Sequence, residues 1–504
     1  MTRATGRPPA SVPGMAKQAG ETTARWAWVE PAAWTTRMLA TLERGVKGGK
    51  WYSLIDKVAS RRVLESAFRR VKRNGGAAGV DHVTIQQFES NLKRELEKLR
   101  QSLLDGSYRA QEILRRWIPK LGGGQRPLGI PTVRDRVVQG ALRSVLEPIF
   151  ERDFAPHSYG FRPGRGCRDA LRHVQGLLDR GYTWVVDADF RSFFDTLRHD
   201  VLLAEVGKKV SDGRTLSLLE AFLHQRIMEG MKGWTPTAGT PQGAVVSPLL
   251  ANIYLDPLDH LLAERGFQVI RYADDLVILC RSQAEAREAL TALEDWAGQA
   301  GLSLHPEKTR LVDATQAGGF EFLGYLFEQG RRWPRKKSLQ RLKTKIRQLT
   351  KRNNGHSLER IIADLNPILW GWFGYFKHSH RYTFERLDRW IRARLRSILR
   401  RRAGLRGRGR GQDHVRWPNR FFAEQGLCSL TIAHALACQS SRRSTTDRRA
   451  VCGRSARTVR REGGPGQPVL PTPIQRRSGR THLPSPSRSP RMAELRRKPR
   501  PERR

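Results

Sequence analysis

Two adjacent carboxylates, Asp274 and Asp275, sit between the apolar runs Phe267-Gln268-Val269-Ile270 and Leu276-Val277-Ile278-Leu279-Cys280. Two β-type runs around the link Arg271-Tyr272-Ala273-Asp274-Asp275 predict a hairpin with both acids at its tip. Like charges that close resist joint ionisation unless a cation lies between them, so the chemistry they suit is divalent-metal binding. Asp is also a favoured turn residue, and an isolated pair is more often plain turn chemistry. A second element changes that balance. Trp184-Val185-Val186-Asp187-Ala188-Asp189-Phe190 reads as a buried strand, continued by Arg191-Ser192-Phe193-Phe194-Asp195. Period-2 alternation puts Asp187 and Asp189 on one face. Asp189 beside the hairpin would complete a three-carboxylate site for two Mg²⁺ ions about 3.5–4 Å apart, one activating an attacking hydroxyl and the other stabilising a leaving phosphate oxygen. The plainer alternative is an ion-paired Asp189 at a strand end.

Asp189 through Asp195, then Thr240-Pro241-Gln242-Gly243-Ala244-Val245-Val246-Ser247-Pro248-Leu249-Leu250, then Tyr272-Ala273-Asp274-Asp275 resembles, in this order, the palm motifs of reverse transcriptases. More specifically the chain resembles a group II intron-encoded reverse transcriptase/maturase, over about residues 34–440. The resemblance implies that Asp189, Asp274 and Asp275 are catalytic metal ligands for Mg²⁺, with Mn²⁺ as a substitute. It implies that Lys120 and Arg126, on a hairpin around Leu121-Gly122-Gly123-Gly124, contact the incoming triphosphate, where cationic groups would neutralise charge on the leaving pyrophosphate. Phe194 occupies the family's place for a bulky gate beneath the incoming sugar, where a ring clashes with a 2′-hydroxyl. Gln242 and Gly243 open a loop that approaches primer and nucleotide. Phe161 and Arg162, within Ser158-Tyr159-Gly160-Phe161-Arg162-Pro163-Gly164-Arg165-Gly166-Cys167, are implied near the template, and Tyr272 supports the primer end. His305-Pro306-Glu307-Lys308-Thr309 and Phe320-Glu321-Phe322-Leu323-Gly324-Tyr325 match later motifs, with His305 where Asn is common. Asn366-Pro367-Ile368-Leu369-Trp370-Gly371-Trp372-Phe373-Gly374-Tyr375-Phe376 resembles the signature of the maturase, or X, region.

Composition agrees with a polyanionic partner. The 504 residues carry a formal net charge of +44, with a pI near 11.3, which points to nucleic acid. A membrane surface is the rival polyanion, but no segment approaches the roughly 18 uninterrupted apolar residues of a spanning helix. The N-terminus lacks the apolar core and small-residue cleavage site of a secretory signal. Five cysteines (Cys167, Cys280, Cys428, Cys438 and Cys452) are scattered without C-x-x-C spacing, which fits a reducing compartment; the resemblance implies a bacterial cytoplasmic protein, nucleoid-associated when on DNA. Many relatives carry a C-terminal endonuclease with paired Cys and His ligands. The cysteines at 428, 438 and 452 with His414, His434 and His482 do not form such a set, so that domain is expected to be absent.

The expected fold is α+β, a right-hand polymerase of fingers, palm and helical thumb. Residues 1–33 are expected to be disordered, 34–182 to form a helical N-terminal extension and fingers, and 183–330 the palm. Helical periodicity is read from Trp34 to Arg73, from Phe88 to Leu104 and from Arg134 to Phe150. Residues 331–402 would be the thumb and maturase region, with Ser338 as a helix N-cap. Its basic face, including Lys343, Lys345, Arg347, Arg392 and Arg394, would track RNA phosphates, although any single Arg there fits a merely solvated face equally well. Residues 403–440, including Arg406-Gly407-Arg408-Gly409-Arg410, resemble a small DNA-binding region. From 441 onward, 19 Lys and Arg stand against four Asp and Glu, a composition expected to be a disordered basic tail.

The function implied is RNA-directed DNA synthesis on intron RNA, together with binding of the parent group II intron RNA to promote splicing. The partners are that RNA, a DNA target and primer, and dNTPs, with no membrane; oligomeric state is not legible. Three readings remain beside it: a splicing-only RNA-binding maturase, a bacterial reverse transcriptase of another kind, and an RNA-dependent RNA polymerase sharing the carboxylates.

Overall fold

The computed structural model describes residues 25–46, 48–119, 124–405 and 411–439. The expectations for residues 1–24, Lys120, the run 406–410 and residues 440–504 lie outside them. Order begins earlier than the sequence suggested. Residues 25–33 bury Trp26, Val29 and Ala33, and Trp26 Nε1 donates to Glu43 at 2.7 Å. Trp26, Trp28 and Trp34 concentrate large apolar rings in a segment whose Gly- and Pro-rich approach masks the signal.

The helical N-terminal part breaks where its caps dictate. Thr35 caps α1 (Thr36–Arg44), and Gly75, at φ +66°, ends α2 (Arg61–Asn74). Val63, Leu64, Ala67, Phe68 and Val71 form the buried stripe of α2. The single helix expected over 88–104 is two, α3 (Ile85–Ser90), opened by a Thr84–Gln87 capping box, and α4 (Leu92–Asp105). Asn91, with φ −115° and ψ 20°, divides them. Helix α2 packs on α5 (Val133–Glu151), which is buried along nearly its whole length.

Strands β1 (Ile113–Pro119) and β2 (Gln125–Ile130) form the expected antiparallel hairpin. They belong to a four-stranded sheet of order β2-β1-β4-β5, in which β4 (Ile227–Glu229) runs parallel to β1 and pairs with β5 (Lys232–Trp234). The boundary expected at residue 183 is therefore crossed: two strands from the palm segment complete the fingers sheet. Three-residue strands carry too few alternations to be read from pattern.

The central sheet has the order β6-β7-β3-β8, built from β3 (Trp184–Asp189), β6 (Gln268–Tyr272), β7 (Asp275–Cys280) and β8 (Arg310–Asp313). It is buried on both faces. Val186, Ala188, Leu276 and Ile278 join one core with α7 (His199–Gly207), α8 (Gly213–Leu223), α9 (Ser247–Glu264) and α10 (Gln283–Gln299). Val185, Val277 and Leu279 join another with α6 (Cys167–Leu178) and the small antiparallel sheet β9 (Phe320–Phe322), β10 (Tyr325–Glu328), β11 (Arg331–Pro334). Alternation therefore places Asp187, Asp189 and Asp275 on the face of Val185, Val277 and Leu279.

Beyond β11 come α11 (Lys336–Leu349), α12 (Leu358–Phe376) and α13 (Tyr382–Arg402). Ser338 is not the cap of α11, which already starts at Lys336 after Arg335; Ser338 lies within its first turn. Helices α14 (Gly411–Arg416) and α15 (Asn419–Glu424) and the helical residues 430–439 continue the same core through Phe422, Leu430 and Ala433. Asp388 of α13 accepts from Ser429 Oγ and Leu430 N at 2.8 and 3.1 Å, and from Thr431 N and Oγ1 at 3.0 and 2.8 Å. Asn366 Nδ2 donates to Gly426 O at 2.8 Å. The segment expected to stand apart as a DNA-binding unit is, over residues 411–439, an extension of the thumb core.

Candidate active site

Hairpin β6–β7 closes through Ala273 and Asp274. Ala273 adopts φ +60°, the sign a tight β-hairpin turn requires and a place where Gly is more usual. Strand register then does the positioning: Tyr272 pairs with Asp275 across the hairpin, and Asp189 lies directly opposite Asp275 on β7. Directly opposed residues hold their Cβ atoms about 4.5–5.5 Å apart. The three acids singled out in the sequence thus meet at one end of the central sheet.

Their electrostatics carry the same message. Although Asp275 reaches solvent at the sheet end, the surrounding protein desolvates its carboxyl. Together with the charges of Asp274, Asp189 and Asp187 this pushes its pKa up to about 6. Desolvation also raises Asp274, with Asp189 adding to the effect and Arg126 opposing it. Asp187 is raised by burial against a counter-pull from Arg310, whose Nη2 lies 2.9 Å from its Oδ2. A cluster of carboxylates that raise one another's proton affinity favours a cation. One is already present: Lys308 Nζ is paired with Asp189 Oδ2, while His305 N donates to Asp189 O at 2.7 Å. Among the described residues no three His, Cys, Asp or Glu are gathered at metal-ligand spacing. The oxygen-only donor set is the kind Mg²⁺ takes, and Asp189, Asp274 and Asp275 would hold it, with Lys308 standing at one of the oxygens a metal would take. Lys308 lies within the motif His305-Pro306-Glu307-Lys308-Thr309, whose pattern assigns it no separate role. Its partner Asp189 is 119 residues away, so no local pattern marks the pair.

The remaining candidates divide. Arg126 is close enough to Asp274 to lower its pKa, so the fingers hairpin reaches the carboxylates. Phe194 is half-buried, edge-on to the core ring of Phe193 at 5.2 Å, and Thr240 N donates to its carbonyl at 2.7 Å. Gly243 adopts φ +113°, and a Cβ there would lie 2.6 Å from Gly129 O; Gln242 O accepts from Gly129 N at 2.7 Å. Close approach of strand β2 by itself requires a glycine at 243. Phe161 is exposed, at φ +60°. Arg162 corrects the expectation of a template contact. Its side chain is buried, donates to Glu151 from Nε and Nη2 at 2.8–3.1 Å, and reaches the carbonyls of Ala155 and Ser158 at 2.6 and 2.9 Å. Glu151, eleven residues upstream at the end of α5, takes up the charge that the sequence offered to phosphate. Tyr272 is half-buried, and a hydrogen bond to Cys167, then burial, raises its pKa to about 12.

On the thumb, Lys345 is exposed, whereas Lys343, Arg347 and Arg394 lie over the Trp390 ring at 5.5–5.6 Å. Arg394 is also tied to Thr350 O at 2.8 Å, which makes it part of the α11–α13 packing rather than a free phosphate contact. Arg392 is half-buried. Between palm and thumb lies a cleft of about 1090 Å³, lined by Asp189, Asp275 and Lys308 on one side and by Arg341, Lys345 and Trp372 on the other.

Residues 118–327 match the family described as reverse transcriptase (RNA-dependent DNA polymerase), and residues 339–414 the group II intron, maturase-specific domain. Protein YkfC of Escherichia coli (strain K12) is 33% identical over 344 residues, covering 60% of this chain and 85% of that protein. The chain belongs to the group II intron-encoded reverse transcriptases. Group II intron-encoded protein LtrA of Lactococcus lactis subsp. cremoris is 36% identical over 201 residues, 39% of this chain and a third (33%) of LtrA. Among solved structures, a chain of the partial Cas6-RT-Cas1--Cas2 complex matches with a TM-score of 0.33 and 27% identity, over 49% of this chain and 41% of that one. For this intron-encoded reverse transcriptase, the matched domains meet at the cleft described above.

Proposed function

We propose that this chain is an RNA-directed DNA polymerase that copies intron RNA, and a maturase that binds its parent group II intron RNA to promote splicing. The observation that carries the first half is the register that sets Asp189 against Asp275 beside Asp274. Two Mg²⁺ ions at these carboxylates would activate the primer 3′-hydroxyl and stabilise the leaving pyrophosphate oxygen. The chain's own residues do the rest. Arg126 meets the triphosphate from the fingers, Phe194 excludes a 2′-hydroxyl, and exposed Phe161 offers a face for a template base. Arg341 and Lys345 on the thumb wall draw the template–primer backbone into the cleft, so affinity falls as salt rises. The maturase half rests on the domain matched over residues 339–414: a protein that binds folded RNA better than unfolded RNA shifts that equilibrium.

The test is primer extension on an RNA template with Mg²⁺ and dNTPs, beside Asp274→Ala, at two salt concentrations. Extension by the parent and none by the variant is expected. No extension by either, with salt-sensitive RNA binding kept in both, would leave a splicing-only RNA-binding protein.

A further inference from the structure

Arg271 lies two residues before Ala273, the first residue of the turn, and its side chain has no exposed surface. An unpaired guanidinium there would be prohibitively costly. Nε donates to Asp259 Oδ1 and Oδ2 at 2.8 and 3.0 Å, and Nη2 donates to the same carboxylate. Nη1 donates to Asn252 Oδ1 at 2.9 Å and to the carbonyl of Ala273 at 3.0 Å. Asp259 is equally buried. Asn252 and Asp259 are seven residues apart on α9, so they share a helix face. Asn252 extends the network, its Nδ2 donating to Gly160 O at 2.9 Å. The Gly160 segment in turn lies along β6: Arg271 N donates to His157 O at 3.1 Å, and Tyr159 N to Arg271 O at 2.9 Å.

The Arg271 side chain thus ties α9 to the turn and its backbone ties the Gly160 segment to β6, while Ala273, the turn's first residue, is held at positive φ. Such a backbone persists when its surroundings over-determine it. Stability alone is a weak reason for the pair, because a buried ion pair replaced by apolar groups of similar volume is often no less stable. Geometry is the stronger reason. The rigid fork of Arg reaches a carboxylate, an amide and a carbonyl at once, which a Lys ammonium on the same stem does not do.

We infer that Arg271, with Asp259 and Asn252, is a positioning residue for polymerisation: the network fixes the turn that sets Asp274 and Asp275 against Asp189. This rests on the polymerase reading above. The test uses the full chain and three variants, Arg271→Lys, Asn252→Ala and the double change Arg271→Met with Asp259→Leu, which removes both charges together. Thermal melting, Mn²⁺ binding followed by electron paramagnetic resonance, and single-turnover dNTP addition on an RNA template are measured for each. Folded Asn252→Ala and double variants are expected to bind Mn²⁺ more weakly and to add dNTP about 10–100-fold more slowly. KM for dNTP should stay within about twofold of the parent, as befits a loss confined to the reacting groups. Arg271→Lys should not rescue either property. A folded Asn252→Ala protein with parental rate and Mn²⁺ affinity overturns the inference, as does full function in Arg271→Lys. Should the double variant not fold, Asn252→Ala, which leaves the ion pair whole, decides. If the parent binds Mn²⁺ but extends no primer, the polymerase reading fails, and the variants' Mn²⁺ affinities still judge the positioning role.

Discussion

Gly160→Ala offers the sharpest probe of how the catalytic turn is held. A Cβ at residue 160 would lie 2.1 Å from Ala273 N, 2.8 Å from Tyr272 C and 2.9 Å from Ala273 Cα. All three are backbone atoms, so no side-chain rotation relieves the clash. Reaching ordinary contact at 3.4 Å requires the two segments to part by roughly 1.3 Å. The hydrogen bonds of Tyr159 N to Arg271 O and of Asn252 to Gly160 O resist that parting, so the turn carrying Asp274 and Asp275 takes part of the displacement. Overpacking of this kind costs about 1–3 kcal/mol, which a protein with about 5–15 kcal/mol of net stability survives. A shift near 1 Å at reacting groups costs about a hundredfold in rate, or about 2.7 kcal/mol of barrier. The expected result is a folded protein that binds RNA with parental salt dependence and adds dNTP about a hundredfold more slowly in a single turnover. Gly164→Ala in the same loop is the control. That residue has φ +69° with nothing within 4 Å of an added Cβ, so it should lose about 1–2 kcal/mol of stability from backbone strain and keep its rate. A Gly160→Ala protein extending primer at the parental rate would refute the claim that close backbone approach positions the turn.

Three further outcomes follow from the same structure. Because the folded protein raises Asp275 to about 6, protons compete with a bound cation as pH falls through that value, and extension should decline there with Mg²⁺ partly restoring it. The sign for stability is the reverse: a carboxyl raised in the fold disfavours ionisation, so the penalty grows as pH rises from about 4 to about 6 and is fully present above. Asp275→Asn should therefore melt higher than the parent at pH 8 while extending no primer. Phe194→Ala, opening the half-buried ring beside Phe193, should raise ribonucleotide use relative to deoxynucleotide at least about tenfold, read by paired NTP and dNTP extension. Asp388→Ala removes the acceptor of four hydrogen bonds from residues 429–431. It should cost about 0.5–2 kcal/mol at that helix start, seen as faster hydrogen exchange across 411–439 with the catalytic turn unchanged.

What could be read from the chain alone follows from the range of the interaction involved. Asp187 and Asp189 share a face because strand geometry has period 2, and the Asp274-Asp275 hairpin is announced by apolar runs around a short turn. Both are local facts, and once a hairpin strand pairs with β3 the opposition of Asp189 and Asp275 needs only register. Arginine is the opposite case. Arg162, Arg271 and Arg394 look in sequence like the other cations of a basic chain, yet each is spoken for, by Glu151, by Asp259 and by the Thr350 carbonyl. Those partners are 11, 12 and 44 residues away, and nothing in local pattern distinguishes a guanidinium destined for a buried carboxylate from one destined for phosphate. The same limit hid β4 and β5, which join the fingers sheet through Ile113 and Ile227, and the close contact of Gly243 with Gly129. In a chain of net charge +44, the informative cations are therefore the buried ones. Each marks a place where a cation holds the protein's own fold, and the most buried of them, Arg271, bonds the carbonyl of Ala273 in the turn that carries Asp274.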